Sequence, residues 1–120
     1  MLVKYKRDYQ KIAMGFLSFE PDLKVLSNLQ SELKLFAEDA GHQLYLYKDA
    51  DNDFSGVVGI EDGDGYVLVR HLQLAPALRN QETINTVLDE LASIVGARRI
   101  MGSLETTPLI MRWEEHRREP

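Results

Sequence analysis

The stretch GYVLVRHLQLAP, Gly65 to Pro76, followed through ALRNQETI into a run ending at Val95-Gly96, decides how this chain is read. Tyr66 to Leu74 is rich in β-branched and large apolar residues and predicts a strand, which Ala75-Pro76 ends. Ile84, Val87, Leu88, Leu91, Ile94 and Val95 then repeat at i, i+3, i+4 and i+7, with Asn85, Thr86, Asp89, Glu90 and Ser93 opposite. That period predicts an amphipathic helix, stopped by Gly96. Between strand and helix lies Leu78-Arg79-Asn80-Gln81-Glu82-Thr83-Ile84. The start of a helix offers free N–H groups and the positive end of the dipole, so this junction is a candidate anion site with Arg79 beside it. The loop has no glycine, and Glu82 and Ile84 stand where small residues would let backbone approach a phosphate.

Working outward, Arg98 to Leu104 reads as a strand parallel to the one before it, because a helix separates the two. A last helix is expected over Pro108 to His116, with Arg117 to Pro120 fraying. Upstream, Gln43 to Lys48 and Phe54 to Ile60 read as strands joined by Asp49-Ala50-Asp51-Asn52-Asp53. With Glu61-Asp62-Gly63-Asp64-Gly65 as a second turn, three strands form an antiparallel meander. The first acidic turn lacks the glycine and the distal glutamate of a calcium loop and reads as a solvated hairpin turn. Near the amino terminus, Leu2 to Tyr5 alternates like a strand. Asp8 would cap a helix whose face is Ile12, Ala13, Phe16 and Leu17. Glu20-Pro21 breaks the pattern before a second helix carrying Leu23, Leu26, Leu29, Leu33 and Phe36, widened by Val25 and Leu35 and stopped at Gly41.

At 120 residues the chain suits one domain spanning 1–120. Its 44% hydrophobic and 28% charged residues are those of a globular protein, and a net charge of −5 argues against general nucleic-acid binding. The absence of cysteine excludes disulfides, thiolate catalysis and cysteine-ligated zinc. No signal peptide or membrane span is recognisable, so the expected location is the cytoplasm, with neither membrane nor nucleic acid as partner.

The order strand, two helices, antiparallel meander, loop, helix, strand, helix resembles the GNAT (Gcn5-related N-acetyltransferase) fold, an α/β architecture with a mixed sheet. The local match is Arg70-His71-Leu72-Gln73-Leu74-Ala75-Pro76-x-x-Arg79, similar to the family's fourth strand and the start of its cofactor loop. Tyr5-Lys6, Ile12-Ala13-Met14-Gly15 and Leu17-Ser18-Phe19, with the short length, more narrowly resemble the RibT proteins of riboflavin operons. The resemblance implies an acetyl-CoA-dependent N-acetyltransferase acting on an unidentified amine. Arg79 and the backbone of Asn80, Gln81, Glu82, Thr83 and Ile84 would hold the pyrophosphate, and Leu72, Gln73 and Leu74 would hold the pantetheine.

Two departures from the family pattern bear on that activity. Glu82 and Ile84 replace the loop's small residues, and a carboxylate about 4 Å from a phosphate repels it by roughly 4 kcal/mol at an effective dielectric near 20. Glu82 also sits where a carboxylate can satisfy first-turn amides itself. The usual pair of C-terminal strands is missing, which would leave Arg98 to Leu104 at an open edge and makes a homodimer one remedy. Among side chains able to move a proton, His71 is the candidate base. Its alternation with Leu72 and Leu74 turns it to the opposite face, where a structural role competes. Trp113, with Ile110 and Met111, reads as packing of the last helix, and Arg98-Arg99 as solvated edge charges. The competing functional reading is a noncatalytic module of the same fold that binds a ligand or partner.

Overall fold

The computed structural model describes residues 1–119. Nine regular elements follow one another: β1 (Leu2–Lys4), α1 (Gln10–Leu17), α2 (Leu26–Glu38), β2 (His42–Lys48), β3 (Phe54–Asp62), β4 (Tyr66–Leu74), α3 (Gln81–Val95), β5 (Arg99–Gly102) and α4 (Thr107–Arg118). The five strands lie in sequence order, antiparallel from β1 to β4 and parallel between β4 and β5. This is the mixed α/β architecture that the element order predicts.

Helices cover both faces of the sheet. On one side Ala13 and Leu17 of α1 and Leu29, Leu33 and Phe36 of α2 pack on Leu44, Leu46 and Val57. On the other, Ile84, Val87, Leu88, Leu91 and Val95 of α3, with Ile110 and Trp113 of α4, pack on Val58, Ile60, Val67, Val69, Leu72 and Leu74. Burial of such side chains, at about 1.5–3 kcal/mol each relative to exposure, is what selects this layering over an open sheet.

β4 changes face part-way along. Val67 and Val69 look toward α3 and α4, yet so do Leu72 and Leu74, which a regular strand with period two would not allow. The register explains it: Ile60 of β3 opposes Val69 and Gly59 opposes His71, so Arg70 is an extra residue with no opposite number. It forms a β-bulge. The bulge turns His71 toward α1 and α2.

Several sequence expectations need correction. Ile12, Val25, Leu26 and Ile94 are exposed rather than part of their helical stripes, because each lies beyond the arc that the sheet covers. Leu23 is buried but belongs to a short 3₁₀ turn over Pro21–Lys24. The second helix stops at Glu38: Asp39 takes extended backbone and its Oδ1 accepts from the Gly41 N–H at 2.7 Å, ahead of Gly41 itself. The last helix continues through Arg117 and Arg118 instead of fraying there, while Pro120 lies outside the described residues. Met111 is exposed, whereas Ile110 and Trp113 are buried, and the Trp113 indole N–H donates to Asp89 Oδ1 at 2.9 Å. The strand after α3 is shorter than expected, since Arg98 precedes it and bonds Asp62 Oδ1 at 2.9 Å.

Candidate acyl-transfer site at the splay of two parallel strands

The parallel ladder between β4 and β5 ends at Val69 and Gly102. Beyond it the chains diverge. The Val69 carbonyl accepts from the Thr106 hydroxyl at 2.8 Å and from the Ser103 N–H at 3.3 Å, so the segment after β5 turns away into α4. Gly102 makes this close turn possible: a Cβ there would sit 2.7 Å from the Thr107 backbone. The edge of β4 from Arg70 to Leu74 is left without a strand partner among the described residues.

At that edge the Leu74 carbonyl accepts from Arg79 Nε at 3.0 Å, and strand alternation turns the backbone groups of Leu72 the same way. The Leu72 and Leu74 side chains point into the core, so what this edge offers is main-chain donors and acceptors. Gln73 is half-buried on the other face, opposite Val57. The Arg79 guanidinium also lies over the Phe19 ring, 4.5 Å from its centroid, which ties the loop before α3 to the segment after α1.

α3 begins as a capped helix. Asn80 has extended backbone and its Oδ1 accepts from the Thr83 N–H at 2.8 Å. The N–H groups of Gln81 and Glu82 have no acceptor among the described residues. They stand at the positive end of a 15-residue helix. The Gln81 side chain is turned elsewhere, donating to Asn85 Oδ1 at 2.8 Å. Glu82 is exposed; the cap expected of its carboxylate is made by Asn80 instead. Ile84 is buried in the α3 core, so its bulk points away from the surface where the free amides lie.

On the opposite face of β4, a cavity of about 390 Å³ opens beside the splay, bounded by the segment after α1, by α2, by β4 and by the turn after β5. His71 lines it and is 5% exposed. Its Nδ1 lies 2.6 Å from Glu20 Oε2 and its Nε2 2.9 Å from Glu32 Oε2. Phe36 packs against the imidazole edge-on with centroids 5.2 Å apart, and Gly59 leaves the room: a Cβ there would meet Phe36 at 3.0 Å and His71 at 3.1 Å. Asp22 and Glu105 also line the cavity, as does Arg70, whose Nη1 is 3.4 Å from Glu61 Oε1.

Sequence reasoning singled out His71 but missed Glu20 and Glu32. Glu20 was legible only as the residue before a proline, and the chain separations of 51 and 39 residues carry no local signal.

No family model matches the chain. A relative from Bacillus methanolicus, an uncharacterized N-acetyltransferase encoded in the lysA 3' region, is 31% identical over 115 residues, covering 95% of each chain. The chain belongs to the GNAT acetyltransferase superfamily. Solved structures share the fold at lower identity. One is a Bacteroides thetaiotaomicron protein assigned to the GNAT family (TM-score 0.68, 19% identity, 97% of this chain and 70% of that one). Another is a chimera of the Vibrio cholerae spermidine N-acetyltransferase (TM-score 0.67, 16% identity, 97% and 78%). The unpaired β4 edge and the start of α3 are the candidate place for an acetyl donor, because both offer unpaired main-chain groups. The free amides of Gln81 and Glu82 and the unpaired strand edge fit that role chemically. The carboxylate of Glu82 opposes it.

Proposed function

We propose that this chain is an acetyl-CoA-dependent N-acetyltransferase of the RibT type, transferring an acetyl group to a primary amine that enters the cavity beside His71. The observation that carries the reading is the separation of β4 from β5 after Val69 and Gly102, which exposes strand backbone between a capped helix start and a polar cavity. Arg79 and the backbone of Asn80 to Ile84 would hold the pyrophosphate, and the backbone of Leu72 to Leu74 the pantetheine. When bound, acetyl-CoA supplies the thioester whose carbonyl carbon accepts the amine nitrogen while the C–S bond breaks and the thiolate leaves with a proton.

The chain's own residues do the rest. A main-chain N–H at the β4 edge stabilises negative charge that develops on a carbonyl oxygen, and such a donor is worth about 100- to 1000-fold in rate. The carboxylates of Glu20, Asp22, Glu32 and Glu105 give the cavity a lining suited to a cationic amine. Arg79 bridges Leu74 and Phe19, which places its guanidinium beside the β4 edge where the donor would lie.

Thermal melting with and without CoA tests this reading. Saturation at about 100 times the dissociation constant stabilises by roughly 2.7 kcal/mol. An unchanged melting temperature at millimolar CoA would refute it and favour the noncatalytic alternative. The variant Glu82→Gly, Ile84→Gly addresses the loop: it should bind CoA more tightly if the missing glycines limit affinity. Because Ile84 is buried, Glu82→Gly alone should produce most of any gain.

A further inference from the structure

The geometry points to Glu20, His71 and Glu32 as a single proton-accepting relay for the amine substrate, with His71 at its centre. This rests on the acetyl-transfer reading above and assigns chemistry to residues on three separate elements.

A neutral imidazole has one N–H and one lone pair. Both ring nitrogens of His71 are nevertheless within hydrogen-bond distance of a carboxylate oxygen, at 2.6 and 2.9 Å. Satisfying both contacts takes two protons: an imidazolium between two carboxylates, or a neutral ring with one protonated glutamate. With one proton fewer, one ring lone pair faces a carboxylate oxygen with nothing between them. The three groups therefore hold one or two protons as a unit, and the geometry shown suits the two-proton form.

The unit lies where a proton has to go. Glu20 and Glu32 keep 25% and 20% of their side chains accessible, whereas the imidazole between them keeps 5%. All three line the cavity at the strand splay. In its one-proton form, of charge −2, the relay accepts one proton from an entering ammonium group and becomes the two-proton form of charge −1. The amine is left neutral with its lone pair free, and the proton afterwards leaves to water through an accessible carboxylate.

The charged groups facing this unit are few. Asp22 and Glu105 share the cavity, from the turn before α2 and the segment before α4; Arg70 adjoins from β4 but is directed to Glu61, and Arg79 lies over Phe19, which lines the cavity beside Glu20. Across Phe36 stands His42, itself 2.9 Å from Glu61 Oε1. Phe36 and Gly59 contribute no charge. Four carboxylates against one arginine line the cavity, a balance that favours an approaching cation and disfavours an acceptor that carries its own carboxylate.

The test uses the whole chain with acetyl-CoA and 1,4-diaminobutane as probe amine, following thiol release. Because the chain has no cysteine, any thiol signal comes from product. His71→Gln should lower kcat by about 100-fold or more, in the range of a lost general base. Glu20→Gln and Glu32→Gln should lower it by roughly tenfold each, with KM for acetyl-CoA and the CoA-dependent melting shift retained. Independently of turnover, the ¹⁵N-imidazole signals of His71, assigned by their loss in His71→Gln, should move when 1,4-diaminobutane is added, with or without CoA. If His71→Gln does not fold, the two glutamine variants and the ¹⁵N signals decide. Unmoved His71 signals, or a wild-type rate in the folded variants, would overturn the relay while leaving acetyl transfer standing. Absence of any CoA-dependent melting shift in the wild type would instead remove the acetyl-transfer reading itself.

Discussion

The two faces of β4 are built on opposite terms. Toward α3 and α4 the strand presents Val67, Val69, Leu72 and Leu74 to a dry apolar layer, in which Val87, Leu88 and Leu91 are fully buried. Toward α1 and α2 its second half presents His71 to two glutamates and a cavity. One face is held by area removed from water, the other by hydrogen bonds that must all be made. A strand that carries both can anchor a fold and still offer chemistry.

The largest effect should come from the apolar face. Leu88→Ala removes a wholly buried side chain and should cost about 2–5 kcal/mol in denaturant unfolding. A cost below that range would mean that α3 collapses onto the gap and that the layer is looser than its burial implies. Next comes the polar face: Glu32→Ala leaves His71 Nε2 without its hydrogen-bond partner and should cost about 1–3 kcal/mol. Equal costs for the two variants would erase the contrast drawn between the faces.

The smallest effect lies off both faces and calibrates them. Asp49 in the first hairpin turn accepts from the Ser55 hydroxyl and from the N–H groups of Asp51 and Asp53. The Ser55 bond, followed by those from Asp53 and Asp51, holds its carboxyl below the ordinary carboxylate range. A depressed folded-state value stabilises above the unfolded-state value of about 4, and that contribution is lost as pH falls through the lower folded-state value. Acid titration of the melting temperature should therefore fall less steeply in Asp49→Asn than in the wild type below about pH 4. Parallel curves would show that the turn contributes nothing to acid stability.

Much of the fold was legible because its signals are local. The α3 stripe, the proline after β4 and the two turns of the meander are each written within about a dozen residues, a span over which hydrophobic period and turn chemistry act. Exposure of Ile12 and Ile94 was not legible: helical period shows that a face exists, while its width depends on the sheet beneath. The candidate site was legible only in part. Arg79 and the start of α3 followed from a strand-to-helix junction, and His71 from its residue type. Its partners come from distant elements, and the bulge that aims it leaves no mark in the composition around Arg70. Parity along β4, counted from Val67, would have put His71 among the core residues and Leu72 opposite them.

That bulge has a genetic consequence. Deleting Arg70 would leave Val69 and His71 adjacent and still opposite Ile60 and Gly59, so plain alternation would keep His71 and Leu72 on the faces they now hold. Flattening the bulge with Arg70 kept in the ladder would instead make every side chain from His71 to Leu74 trade sides, carrying an imidazole into hydrocarbon and leucines among carboxylates. The strand therefore tolerates the loss of this residue far better than the loss of the bulge around it.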